Sequence, residues 1–113
     1  MDARSGFVAR PDERCQRGLL VRYFVTGAFD EERLACALQS AWSEALVEGS
    51  ERWGARTVRR LVRQFRFEVR LGERDGEISL LHRTMASPAQ RADHTLVFET
   101  CLRAELAAAR SLS

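Results

Sequence analysis

Phe65-Arg66-Phe67-Glu68-Val69-Arg70-Leu71, followed by Gly72-Glu73-Arg74-Asp75-Gly76 and then Glu77-Ile78-Ser79-Leu80-Leu81-His82-Arg83, decides the reading of the fold. Apolar and charged residues alternate from Phe65 to Leu71, the period of a strand with one buried face. Asp75-Gly76 ends a loop of the kind that closes β-hairpins. The returning segment reads as a second strand, with Ile78, Leu80 and His82 on one side.

Upstream, residues 51–64 read as a helix. Val58, Leu61, Val62 and Phe65 recur at helical spacing, and Arg52, Arg56, Arg59, Arg60 and Arg63 fall within an arc of about 100° on the other side. An earlier helix is predicted from Asp30, a good N-cap followed by Glu31 and Glu32, to about Glu48, with Gly49 as its stop. Leu34, Leu38, Trp42 and Leu46 recur every four residues as its core stripe. Residues 19–26, Leu-Leu-Val-Arg-Tyr-Phe-Val-Thr, are β-branched and aromatic and read as a strand closed by Gly27. Residues 1–18 are polar and arginine-rich and are expected to form a flexible arm. Downstream, Ser87-Pro88 is a helix start, and Phe98, Cys101, Leu102 and Leu106 mark the core face of a last helix reaching about Arg110.

The expected order is therefore β-α-α-β-β-α. It describes one α+β domain over residues 19–113, a small three-stranded sheet, antiparallel or mixed, with helices packed on one face. The chain length of 113 residues, with 45% apolar and 30% charged residues, suits one domain with its own core.

All 18 basic residues are arginine, so chemistry through a lysine Schiff base is excluded. Cys15, Cys36 and Cys101 are odd in number and form no CxxC pair, which argues against a disulfide framework or a zinc site. Cys36 and Cys101 sit among apolar residues and are expected to be buried thiols. His94 and Cys101 are seven apart on a predicted helix, about 10 Å along its axis, too far for a thiolate–imidazole pair. His82 is expected to be a packed, hydrogen-bonded histidine. No phosphate-binding glycine loop and no nucleophile-elbow motif occurs. No catalytic residue, metal ligand or cofactor is expected. Gly27-Ala28-Phe29-Asp30 with Leu34 and Ala37-Leu38 resembles the opening strand and helix of condensation-type CoA-dependent acyltransferases over about 20 residues. The HHxxxD motif of that family is absent here, so the resemblance implies no activity.

Charge is segregated. Residues 30–51 carry a net −5 and residues 52–74 a net +6. Two basic surfaces follow. One is the arginine arc of the helix expected over 52–63, a candidate nucleic-acid contact through Arg52, Arg56, Arg59, Arg60 and Arg63. The other is the open face of the sheet, expected to present Arg22, Phe24, Arg66, Arg70, Leu81 and Arg83. Arginines interleaved with aromatic and aliphatic groups suit protein hot spots. The function expected is therefore a non-enzymatic interaction module, an adaptor, regulator or small inhibitor of a larger protein or nucleoprotein assembly, binding a protein partner or a second copy of itself, with self-association expected through the sheet face or a free strand edge. The alternative is nucleic-acid binding. No apolar signal region and no membrane span is read, so the chain is expected to be cytoplasmic.

Overall fold

The computed structural model describes residues 6–12, 18–42 and 46–111. They form one six-stranded antiparallel sheet and two helices. Strands β1 (Gly6–Asp12) and β2 (Gly18–Thr26) precede helix α1 (Glu31–Ala41). Strands β3 (Val47–Trp53), β4 (Arg56–Arg63), β5 (Phe67–Arg74) and β6 (Glu77–Arg83) follow as a meander, and helix α2 (Pro88–Ser111) ends the chain. The order across the sheet is β1-β2-β6-β5-β4-β3, so β6 returns to pair with β2 and α1 carries the chain to the far edge.

This corrects the expectation of a three-stranded sheet in the order β-α-α-β-β-α. Two segments account for the difference. The stretch expected as a helix over 51–64 is most of the β3–β4 hairpin, turning at Gly54-Ala55 with Gly54 at φ 66°. Its apolar spacing suits a helix, but Thr57, Val58 and Val62 are β-branched, and β5 supplies a hydrogen-bonding neighbour, with Leu61 opposite Val69. Tertiary pairing overrides the helical pattern. The second segment is the expected flexible arm, which contains β1, paired along its length with β2.

Helix α1 begins as expected. Asp30 Oδ1 accepts from the backbone N–H of Glu32 at 2.9 Å and of Arg33 at 3.3 Å. It stops at Ala41, well short of Glu48, because Trp42 is already extended at ψ 127°. The four-residue stripe misleads here. Leu34 and Leu38 belong to the helix, while Trp42 and Leu46 lie beyond it and still turn into the core. Gln39 Nε2 donates to the Leu46 carbonyl at 3.4 Å, tying the following chain back to the helix.

The β5–β6 hairpin forms where the alternation places it, although β5 starts at Phe67. Phe65 sits in the preceding turn at φ 67° and is exposed. At the bulge after Leu71, Gly72 has φ 89°, and a Cβ there would stand 2.8 Å from the Thr57 carbonyl oxygen. Helix α2 starts with a capping box. Gln90 N–H donates to Ser87 Oγ, and Ser87 N–H donates to Gln90 Oε1.

Both helices pack on the same face. Leu34 and Leu38 of α1, and Phe98, Leu102 and Leu106 of α2, join Tyr23, Phe67, Val69 and Leu80 of the sheet in one core. Tyr23 lies between Phe7 and Phe98, with ring centroids 5.4 and 4.7 Å away, and its hydroxyl donates to Glu99. No helix among the described residues is long and apolar enough to cross a membrane.

Candidate interface on the open face of the sheet

Alternation along each strand sends the other half of the side chains to the face without helices. By register, this set includes Val8, Arg10, Leu20, Arg22, Phe24, Glu51, Trp53, Val58, Arg60, Glu68, Arg70, Ser79, Leu81 and Arg83.

Glu68 stands at the centre of this face and is fully buried. Arg60 grips its carboxylate with two bonds, from Nε to Oε2 and from Nη2 to Oε1, each 2.8 Å. Arg70 Nε donates to Oε2, and Arg83 Nη2 donates to Oε1 at 3.1 Å. Burial pushes the Glu68 carboxyl up. The hydrogen bonds and charges of Arg60 and Arg70 outweigh it and bring the pKa down to about 2. The network continues outward. Arg60 Nη1 donates to Glu51, whose other oxygen accepts from Trp53 Nε1 at 2.8 Å. Bonds from Trp53 and Arg60 hold the Glu51 carboxyl below its ordinary range. Arg70 lies over the Trp53 ring at 5.1 Å, and Arg10 over the Phe24 ring at 5.6 Å.

The centre of the face is therefore dry although both helices lie on the other side. Val58, Ser79 and Leu81 are buried there, and Val58 and Leu81 stand apart from the main core. Long arginine stems whose guanidinium groups converge on one carboxylate can cover apolar surface in this way. Val8 is exposed opposite Phe24 at the β1–β2 side, and Phe24 keeps 36% of its surface in water.

Of the six residues expected on this surface, Arg22, Phe24, Arg70, Leu81 and Arg83 have the register of the open face. Two differ from expectation in detail. Leu81 is only 4% exposed, and Arg66 lies in the β4–β5 turn, where its carbonyl accepts from Arg83 N–H at 2.8 Å. Arg22 faces Asp12 and Glu77, at 3.7 and 4.0 Å.

The arginine arc expected over 52–63 does not exist, because the segment is a hairpin. Strand parity puts Arg52, Arg59 and Arg63 toward the helix side and Arg56 and Arg60 toward the open side. Arg56 pairs with Asp75 at 2.9 Å, Arg59 with Glu32 at 2.7 Å, and Arg60 with Glu68. Sequence reasoning missed Glu51, Trp53, Val58 and Glu68 as parts of one surface. The lone acid of Arg66-Phe67-Glu68-Val69-Arg70 was the available signal.

The histidines lie on the opposite, helix-covered side. His82 is buried, with Nε2 3.2 Å from Thr95 Oγ1. Thr95 donates its own hydroxyl proton to the Arg91 carbonyl, so the imidazole N–H sits on Nε2. Burial, then the charges of His94 and Arg91, push the His82 pKa down to about 4. The ring stacks near His94 at 6.3 Å, and His94 packs on Phe67. Cys36 is exposed rather than buried, Cys101 is half-buried with its thiol pKa pushed up by burial, and Cys15 lies outside the described residues. Among the described residues no cluster of His, Cys, Asp and Glu is arranged to hold a metal ion. A cleft of about 290 Å³ between α1 and α2 is lined chiefly by small apolar groups, with Arg33 and Glu105 in a 3.2 Å ion pair at its wall.

Comparisons of the chain with protein-family models, curated proteins and solved structures return no match.

Proposed function

We propose that this protein is a non-catalytic interaction module, an adaptor, regulator or small inhibitor, that binds a protein partner on the open face of its sheet. The observation that carries this reading is the buried Glu68 held by Arg60, Arg70 and Arg83 on a face that neither helix covers. Arginine side chains normally lose much rotamer freedom on binding. Here three of them are already fixed, and two further contacts place Arg10 and Arg70 over Phe24 and Trp53. A rigid surface of arginine, tryptophan and phenylalanine around a dry centre has the chemistry of a protein hot spot.

Charge balance separates this from nucleic-acid binding. Arg22, Arg60, Arg70 and Arg83 each face a carboxylate of the same chain. A polyphosphate approaching this face would meet Asp12, Glu51 and Glu77 together with arginines of which three already share the buried Glu68. The partner favoured is a protein surface of mixed charge and exposed apolar groups.

The test isolates tagged protein from the cells that make it and compares it with Phe24→Glu and Leu96→Glu. Both sites are exposed, but Leu96 lies on α2. Loss of a hot-spot aromatic is worth roughly 2 kcal/mol or more, about a 30-fold change in affinity. The expected result is a defined protein partner that disappears with Phe24→Glu and stays with Leu96→Glu. Recovery of nucleic acid that is salt-sensitive and indifferent to Phe24 would overturn the proposal.

A further inference from the structure

We infer that two copies of this chain join through the free edge of β3, in antiparallel register about Ser50, and so extend the sheet from one copy into the next. This rests on the reading of the chain as an interaction module but uses the edge of the sheet, which shares Trp53 with the open-face surface.

The two edges of the sheet differ. β1 carries Pro11, which offers no N–H and guards an edge against pairing. β3 has no proline, pairs only with β4 among the described residues, and is exposed along nearly its whole length. Its hydrogen-bonding direction follows from the hairpin. Trp53 and Arg56 close a two-residue loop and so exchange both backbone bonds, as do Glu51 and Gly49 with their partners on β4. The N–H and C=O groups of Glu48, Ser50 and Arg52 therefore point into the open edge.

The sequence of this edge is complementary to itself. Antiparallel pairing about Ser50 sets Ser50 opposite its own copy, with both bonds exchanged. It sets Glu48 opposite Arg52 on each side of the axis. It also sets Val47, 72% exposed, opposite Trp53, an apolar pair on the open-face side. The three residues whose backbone groups point outward are the ones this register pairs. Centring on Glu51 instead would oppose two like charges, and centring on Gly49 would lose the Glu48–Arg52 pairs. Neither Glu48 nor Arg52 has a close ion pair among the described residues, and Glu48 feels the charge of Arg59, its diagonal neighbour on β4, without being bound by it.

Charge exchange tests the register by sedimentation velocity over a concentration series. Wild type is expected to dimerise. Glu48→Arg would face Arg52 of the other copy and Arg52→Glu would face Glu48, so each variant alone is expected to dimerise roughly tenfold more weakly or less. An equimolar mixture of the two single variants restores both opposite-charge pairs and is expected to form a one-to-one dimer near wild-type strength. Wild type that stays monomeric, single variants that dimerise like wild type, or a mixture that fails to recover would each overturn the inference. Phe24→Glu is expected to leave the dimer intact. If it dissolves the dimer, the copies meet through the open face, which ends edge pairing and leaves the module reading standing.

Discussion

Replacing Glu68 with glutamine is expected to lower the stability of the protein by about 3 kcal/mol at neutral pH, read as a fall in the urea midpoint. The substitution keeps the size of the side chain and removes its charge. Three guanidinium groups then converge on a neutral amide. Breaking one side of a buried ion pair costs about 3–5 kcal/mol. The low end applies because Arg60, Arg70 and Arg83 keep 27, 23 and 31% of their side-chain surface exposed and can turn to water. Acid adds a second signature. The folded pKa of Glu68, about 2, lies below its unfolded value, so the unfolded chain binds the proton first as pH falls. The stabilisation is present above about pH 4.5 and disappears between there and pH 2. Wild type and variant should therefore differ most at pH 7 and converge by about pH 2–3. A loss under about 1 kcal/mol with no convergence would mean that the arginines on this face are solvated individually and do not hold one carboxylate.

Phe98→Ala is expected to cost about 3–5 kcal/mol, the range for emptying an aromatic site in a packed core. Phe98 is fully buried on α2 and packs against Tyr23 on the sheet. Its loss would also leave the Tyr23 hydroxyl and its bond to Glu99 above a void. Phe98→Leu refills most of that volume and is expected to cost about 1–2 kcal/mol. Urea unfolding of the three proteins checks the order. Equal, small losses for both variants would place α2 outside the cooperative unit that the sheet forms.

Parts of this architecture were legible in the residues. The alternation from Phe67 to Leu71, the Asp75-Gly76 turn, the Asp30 cap and the Ser87-Pro88 start are local signals, and each marks its element. The β3–β4 hairpin was not legible. Apolar positions 58, 61, 62 and 65 match a helical face as well as they match a two-sided strand. The choice depends on β5 standing beside β4, a contact that no local window contains. The end of α1 was lost for a related reason, since Trp42 and Leu46 keep the helical spacing while entering the core from an extended segment. The misplaced hairpin hid the site as well. With residues 52–63 read as a helix, Arg60 belonged to a solvent arc, and Glu68 had no visible reason to be buried. Once β4 lies beside β5, Arg60 stands opposite Arg70 and next to Glu68, and the network follows.

The most direct measurement is site-specific photo-cross-linking in the cells that make the protein, with a benzophenone amino acid in place of Phe24 on the open face or of Leu96 on α2. A docking surface on the open face predicts a discrete protein adduct from position 24 and none of the same mass from position 96. Adducts to nucleic acid from position 24, or the same protein adduct from both positions, would contradict it.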